Sequence, residues 1–136
     1  MASSALVDSS FLVALLNERD SEHDWAVAQA TRFPPVWMTC EAVLSEAFYL
    51  LGTAGTPALA ELLQGQAIVC QFEIAHHVDD VLRLMKKYGN VPMSLADACL
   101  VRMSELLPNP TVLTTDSDFH IYRRHGRQTI PCVTLR

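Results

Sequence analysis

Short apolar runs alternate with longer stretches of helical periodicity along the chain, the pattern of a parallel α/β architecture. Residues 4–7 (SALV) read as a first strand, and Asp8 or Ser9 as the cap of a helix through FLVALLNE. A second helix is expected from SEHD, where Ser21 and Asp24 stand at capping-box spacing, to the proline pair at 34 and 35. VWMT suggests a second strand. CEAVLSEAFYLLG then reads as a helix closed by Gly52, and TPALAELLQG as another, with Thr56 as cap, Pro57 in the first turn and Gly65 past the end. AIVCQF is the third strand candidate. It is followed by an amphipathic helix in AHHVDDVLRLMKKYG, whose basic end suits the helix dipole. A more apolar helix, SLADACLVRMSELL, has Ser94 as its cap. TVLTT and PCVTL supply the last two strands. Repeats, linkers and low-complexity tracts are not evident.

Length and composition narrow this to one domain spanning residues 1–136, since 136 residues at 50% hydrophobic content fill one core and are too few for two. The apolar stretches fall short of the roughly 20 residues needed to cross a bilayer. Asp8 interrupts the first of them, and no positive charge leads it, so a signal peptide is not expected and the location implied is cytoplasmic. Cys40, Cys70, Cys99 and Cys132 form no CxxC pair and have mostly apolar neighbours, which favours buried reduced thiols over disulfides or zinc. A net charge of −5 argues against a broadly basic nucleic-acid coat, but leaves room for local grip by an enzyme that gathers carboxylates around a cation.

Four acids lie inside or against apolar runs: Asp8 in ALVDSSF, Glu46 in VLSEAFYL, Asp97 in SLADACLV and Asp116 in VLTTDSDF. Carboxylates are seldom placed so without partners, and a shared divalent metal would give all four one cause. Residues just past the first and fourth strands of a parallel sheet can meet at one edge, where open α/β folds bind ligands. Each acid also has a plain structural reading. Asp8 and Asp116 are good caps, and Asp97 is the fourth member of a capping box, S-L-A-D. For Glu46 the plain reading is the weakest of the four, because apolar residues stand at nearly every neighbouring position and no cation stands at i+4.

Taken together, VDSSFLVALL, TCEAVLSEAFYLL, PMSLADACLV and VLTTDSDF with a final short strand resemble the PIN domain, especially the compact VapC-type toxins of toxin–antitoxin pairs. The resemblance implies a three-layer α/β/α sandwich around a mainly parallel sheet of four to five strands. It also implies a metal-dependent endoribonuclease. The family's acidic set falls on Asp8, Glu46, Asp97 and Asp116, with Asp118 as a fifth candidate ligand and Glu41 a poor fit. Ser9, Thr114 and Thr115 match positions that support the acids or the attacking water. Mg²⁺ or Mn²⁺ is the implied cofactor, since both prefer oxygen ligands. RNA, a cognate antitoxin and a second copy in a homodimer are the implied partners. Arg123, Arg124 and Arg127 in YRRHGR, close behind the DSDF turn, are the candidate RNA contacts. The rival expectation is a catalytically silent PIN-like module that binds RNA or a protein.

Overall fold

The computed structural model describes residues 3–135; residues 1, 2 and 136, the ends of the expected domain, lie outside the described residues. Five parallel strands form the central sheet: β1 (Ser4–Val7), β2 (Trp37–Thr39), β3 (Ile68–Cys70), β4 (Pro110–Leu113) and, after a small hairpin, β7 (Cys132–Val133). Their order is β3-β2-β1-β4-β7, so the two most apolar strands are central. Every residue of β4 is buried, as are Ala5, Leu6 and Val7 of β1. Strands covered on both faces read as continuous apolar runs, which is why SALV and TVL show no alternation.

The chain runs outward from β1 through β2 to β3, then crosses back to β4 on the other side of β1. Helices α1 (Ser9–Leu16), α2 (His23–Arg32) and α3 (Glu41–Gln64) connect the outward strands, and α4 (Val78–Lys87) and α5 (Leu95–Glu105) make the return. Right-handed crossovers put the first three on one face of the sheet and the last two on the other. The contacts agree, since α1 packs on α2 and α3, and α4 on α5. The result is a three-layer α/β/α sandwich whose switch point falls between β1 and β4. Phe11, Leu12, Val43 and Leu59 are fully buried from the first helical layer, and Val81 and Leu100 from the second.

Several boundaries differ from the sequence expectation. The predicted Ser21–Asp24 capping box does not form: α2 starts at His23, its cap Glu22 makes no side-chain cap bond, and Asp20 accepts the Glu22 amide at 2.8 Å instead. The helix expected over 75–89 is split into a 3₁₀ turn, Ile74–His76, and α4. An antiparallel hairpin, β5 (Arg123–Arg124) with β6 (Gln128–Thr129), was not anticipated; His125 and Gly126 turn it with φ of 51° and 80°. All four cysteines are free thiols.

The two helices expected on either side of Gly52 run on as α3, but Gly52 breaks its regularity with φ 68° and ψ −170°. That region is open essentially to glycine alone. A Cβ there would meet nothing within 4 Å, so the constraint lies in the backbone and not in packing. Gly52→Ala is therefore expected to destabilise the protein by about 2 kcal/mol, read as a lower urea midpoint at unchanged slope.

Candidate metal centre

The register of the two central strands builds the site. Val7 pairs with Leu113, so Asp8 and Thr114 leave the sheet side by side at its carboxyl edge. The Asp8 amide donates to the Leu113 carbonyl at 3.1 Å, holding that exit, and the Thr114 amide donates to the Val133 carbonyl at 3.2 Å. Each chain then turns into a helix or 3₁₀ turn that needs an acceptor at its start. Asp8 caps α1, with Oδ1 accepting the Ser9 amide at 2.8 Å. Asp116 caps the turn Ser117–His120, accepting the Asp118 amide at 2.9 Å. Across the edge, α5 begins with a complete capping box: Ser94 Oγ accepts the Asp97 amide at 3.0 Å, and Asp97 Oδ2 accepts the Ser94 amide at 3.3 Å. The plain reading of each acid as a cap is thus correct, and it does not compete with the shared-site reading. Capping is what brings them together. One carboxylate oxygen from each of Asp8, Asp97 and Asp116 lies within 4.8 Å of the others.

Hydroxyls hold this triad in place. Thr114 Oγ1 donates to Asp8 Oδ2 at 2.7 Å and accepts the Asp116 amide at 3.0 Å, so a single side chain ties two of the acids. Ser9 Oγ donates to Glu46 Oε1 at 2.7 Å. That bond links Glu46 to the centre from one residue beyond Asp8. Glu46 itself is exposed and stands outside the close triad, contrary to the apolar setting its sequence neighbours suggested. The buried stripe of α3 runs through Val43 and Ala47, and Glu46 sits beside it. Thr115 contributes through its backbone, its amide donating to Ser10 Oγ at 3.0 Å. Asp118 stays partly buried next to Asp116; burial first, and then Asp116, hold its carboxyl above the usual range.

Two residues of the site escaped the sequence. Ser10 lies 3.2 Å from Thr114 Oγ1 and 3.5 Å from Asp8 Oδ2; its only signal was the second serine of the DSS start of α1. Tyr122, fully buried, donates its hydroxyl to Asp97 Oδ2 at 3.0 Å. Nothing local marks that contact, which joins positions 25 apart. Burial and the neighbouring Asp97 push the Tyr122 phenol well above its ordinary range, so it remains a donor.

Electrostatically, the triad is loaded against itself. Burial raises Asp8 from 3.8 to about 6; the Thr114 and Ser9 bonds oppose the rise, while the charges of Asp97 and Glu46 add to it. Burial also raises Asp97, against the bonds from Ser94 and Tyr122, with Asp116 adding repulsion. Asp8 and Asp97 thus hold their protons to higher pH than free carboxylates do, and a cation would compete with those protons. The donor set is entirely oxygen, which suits a hard divalent ion such as Mg²⁺ or Mn²⁺ and not a thiolate-seeking metal. Metal–oxygen bonds of about 2.1 Å set neighbouring ligand oxygens about 3 Å apart, so small side-chain rotations bring the triad to a cation.

The basic candidates are placed differently from one another. Arg123 Nη1 donates to the carbonyls of His120, Ile121 and Tyr122 at 2.7, 3.1 and 3.0 Å. Arg124 Nη2 donates to those of Ser104 and Leu107 at 2.6 and 2.7 Å, capping the carboxyl end of α5. The Arg124 guanidinium holds the hairpin to α5, while that of Arg123 closes over the carbonyls of the three residues that lead into the hairpin. Arg127 is exposed in the hairpin turn.

The PIN-domain family model matches residues 5–124. Among solved structures, the chain is similar to VapC20 of Mycobacterium tuberculosis, described as a toxin that cleaves the sarcin–ricin loop. The TM-score is 0.76 at 24% identity, over 85% of this chain and 92% of that one. No curated protein sequence matches the chain.

Proposed function

Because the chain belongs to the PIN-domain family, we propose that it is a divalent-metal-dependent endoribonuclease and the toxin component of a toxin–antitoxin pair. The convergence of Asp8, Asp97 and Asp116 at the switch point of the sheet carries this reading. Three buried or half-buried acids within 4.8 Å strain a fold that has no use for a cation. That is the reason to prefer the enzyme over a silent binding module.

Asp8 and Asp116 are assigned as the core ligands of Mg²⁺ or Mn²⁺, and Asp97 as a further ligand or as the group that orients the attacking water. Glu46 acts at the rim through Ser9, or through a water. When bound, the ion offsets the charge of a phosphodiester and lowers the pKa of the water that attacks it. Thr114 and Ser10 keep Asp8 aimed and its lone pairs occupied. Ser94 and Tyr122 do the same for Asp97. Arg127 is the assigned phosphate contact of the hairpin, with Arg124 acting on RNA by anchoring that hairpin to α5 and Arg123 by fixing the turn that leads into it. A cognate antitoxin and a homodimer are proposed as partners, on the resemblance to VapC-type toxins. The cytoplasm is the proposed location, and no helix among the described residues is long and apolar enough to cross a membrane.

The test is cleavage of a mixed RNA pool by the purified protein with Mg²⁺ or Mn²⁺, beside the same reaction in EDTA. Cleavage that EDTA stops and excess metal restores is the expected outcome. A protein that cuts nothing with either ion, yet still retains RNA on a filter, favours the silent module.

A further inference from the structure

We propose that Tyr122 is a positioning residue of the metal centre, its buried hydroxyl fixing which oxygen Asp97 presents to the cation; the proposal rests on the metal-centre reading above. Asp97 is the one member of the triad that does not come from the β1–β4 edge. Asp8 and Asp116 are tied to each other through Thr114, whereas Asp97 arrives on α5 from the other helical layer. Its carboxylate needs its own restraint. The capping box supplies one donor, the Ser94 amide at 3.3 Å, long for a bond that must set a rotamer. Tyr122 supplies the shorter one at 3.0 Å on the same oxygen, Oδ2. With both donors on Oδ2, Oδ1 is the oxygen available to a cation.

The tyrosine can impose this because its ring does not move freely. Tyr88 and Phe119 pack edge-on against it, with centroids 5.1 and 5.2 Å away. Its amide donates to the Asp118 carbonyl at 3.2 Å, and its own carbonyl is gripped by Arg123. The Arg123 amide in turn donates to the Tyr88 hydroxyl at 2.9 Å. Tyr122 therefore lies between the Asp116–Asp118 turn and the hairpin, and sets the distance from that turn to α5. A hydrogen bond from outside the ligand set, on a carboxylate that binds metal, is typically worth 10- to 100-fold in affinity.

The structure also supplies a control. Tyr88 belongs to the same aromatic cluster and its hydroxyl is also bonded, but to a backbone amide and to none of the acids. Mn²⁺ affinity, read from the free-ion electron paramagnetic resonance signal at pH 8 where proton competition is removed, is measured for wild type, Tyr122→Phe, Tyr88→Phe and Asp116→Asn. Tyr122→Phe is expected to bind Mn²⁺ about tenfold more weakly and to lose kcat in RNA cleavage with KM for RNA unchanged. Tyr88→Phe is expected to lower the urea midpoint and leave Mn²⁺ affinity intact. Wild-type affinity in Tyr122→Phe, or an equal loss in Tyr88→Phe, overturns the positioning role alone. If wild type binds no more Mn²⁺ than Asp116→Asn does, the metal-centre reading fails and takes this proposal with it.

Discussion

Asp8→Asn is expected to reduce metal-dependent RNA cleavage by at least about a thousandfold while leaving the protein folded. Asp8 is the hub of the triad. It leaves the sheet at the register-fixed edge, accepts from Ser9 and Thr114, and lies close to both Asp97 and Asp116. Asparagine keeps the shape and the cap, because its carbonyl oxygen still accepts the Ser9 amide. It gives up the negative charge that attracts a cation. A bound metal contributes several kcal/mol to stabilising the transition state, and each 1.36 kcal/mol is tenfold in rate, which sets the magnitude. Glu46→Gln provides the graded comparison. Glu46 is exposed and joined to the centre through Ser9, so its loss is expected to reduce the rate by about tenfold, the lower end for a group acting through another. Initial rates on a single RNA at saturating Mn²⁺ decide the matter. An Asp8→Asn enzyme that cuts at the wild-type rate removes Asp8 from the chemistry.

The acids were legible in the sequence because the forces that place them are local. A polar residue that ends a buried parallel strand and starts a helix is both a cap and an edge residue, and Asp8 and Asp116 satisfy both conditions within a few positions. Asp97 was legible through Ser94, three residues away. The setting of Glu46 was not, because an apolar sequence neighbourhood on a helix says little about which side of the stripe a residue takes; the stripe through Val43 and Ala47 leaves Glu46 in solvent. Gly52 was seen as a helix end, and the backbone does break there, but the chain resumes as helix after one residue. Non-local contacts stayed hidden. The Tyr122–Asp97 bond and the capping of α5 by Arg124 both depend on a hairpin of two-residue strands, too short to leave a periodic signal. The same limit misplaced YRRHGR: a run of arginines reads as a surface for phosphate, while two of its three side chains close over backbone carbonyls.

The clustering proposed as a metal site also has a signature that needs no metal, because burial pushes the Asp8 carboxyl from 3.8 up to about 6. A raised folded pKa means that the native state holds the proton more tightly than the unfolded chain does. Its stabilising contribution is therefore complete below pH 3.8 and is lost as pH rises through 6. The shift of about two units corresponds to about 3 kcal/mol over the whole window, of which about 2 falls between pH 4.5 and 7.5. Burial is the main cause, and the charges of Asp97 and Glu46 act in the same direction. In EDTA, wild type should therefore lose about 2 kcal/mol between those pH values relative to Asp8→Asn, whose amide does not titrate. Mn²⁺ should reverse this for wild type alone. The ion binds the deprotonated triad, so its affinity grows as pH passes 6, and binding to the native state adds stability by mass action. Urea midpoints at the two pH values, with and without Mn²⁺, measure the effect. A wild type that parallels Asp8→Asn across pH in EDTA would mean that Asp8 is already ionised in the folded chain, and that the edge of this sheet is better solvated than the packing of Thr114, Ser9 and Ser10 around it implies.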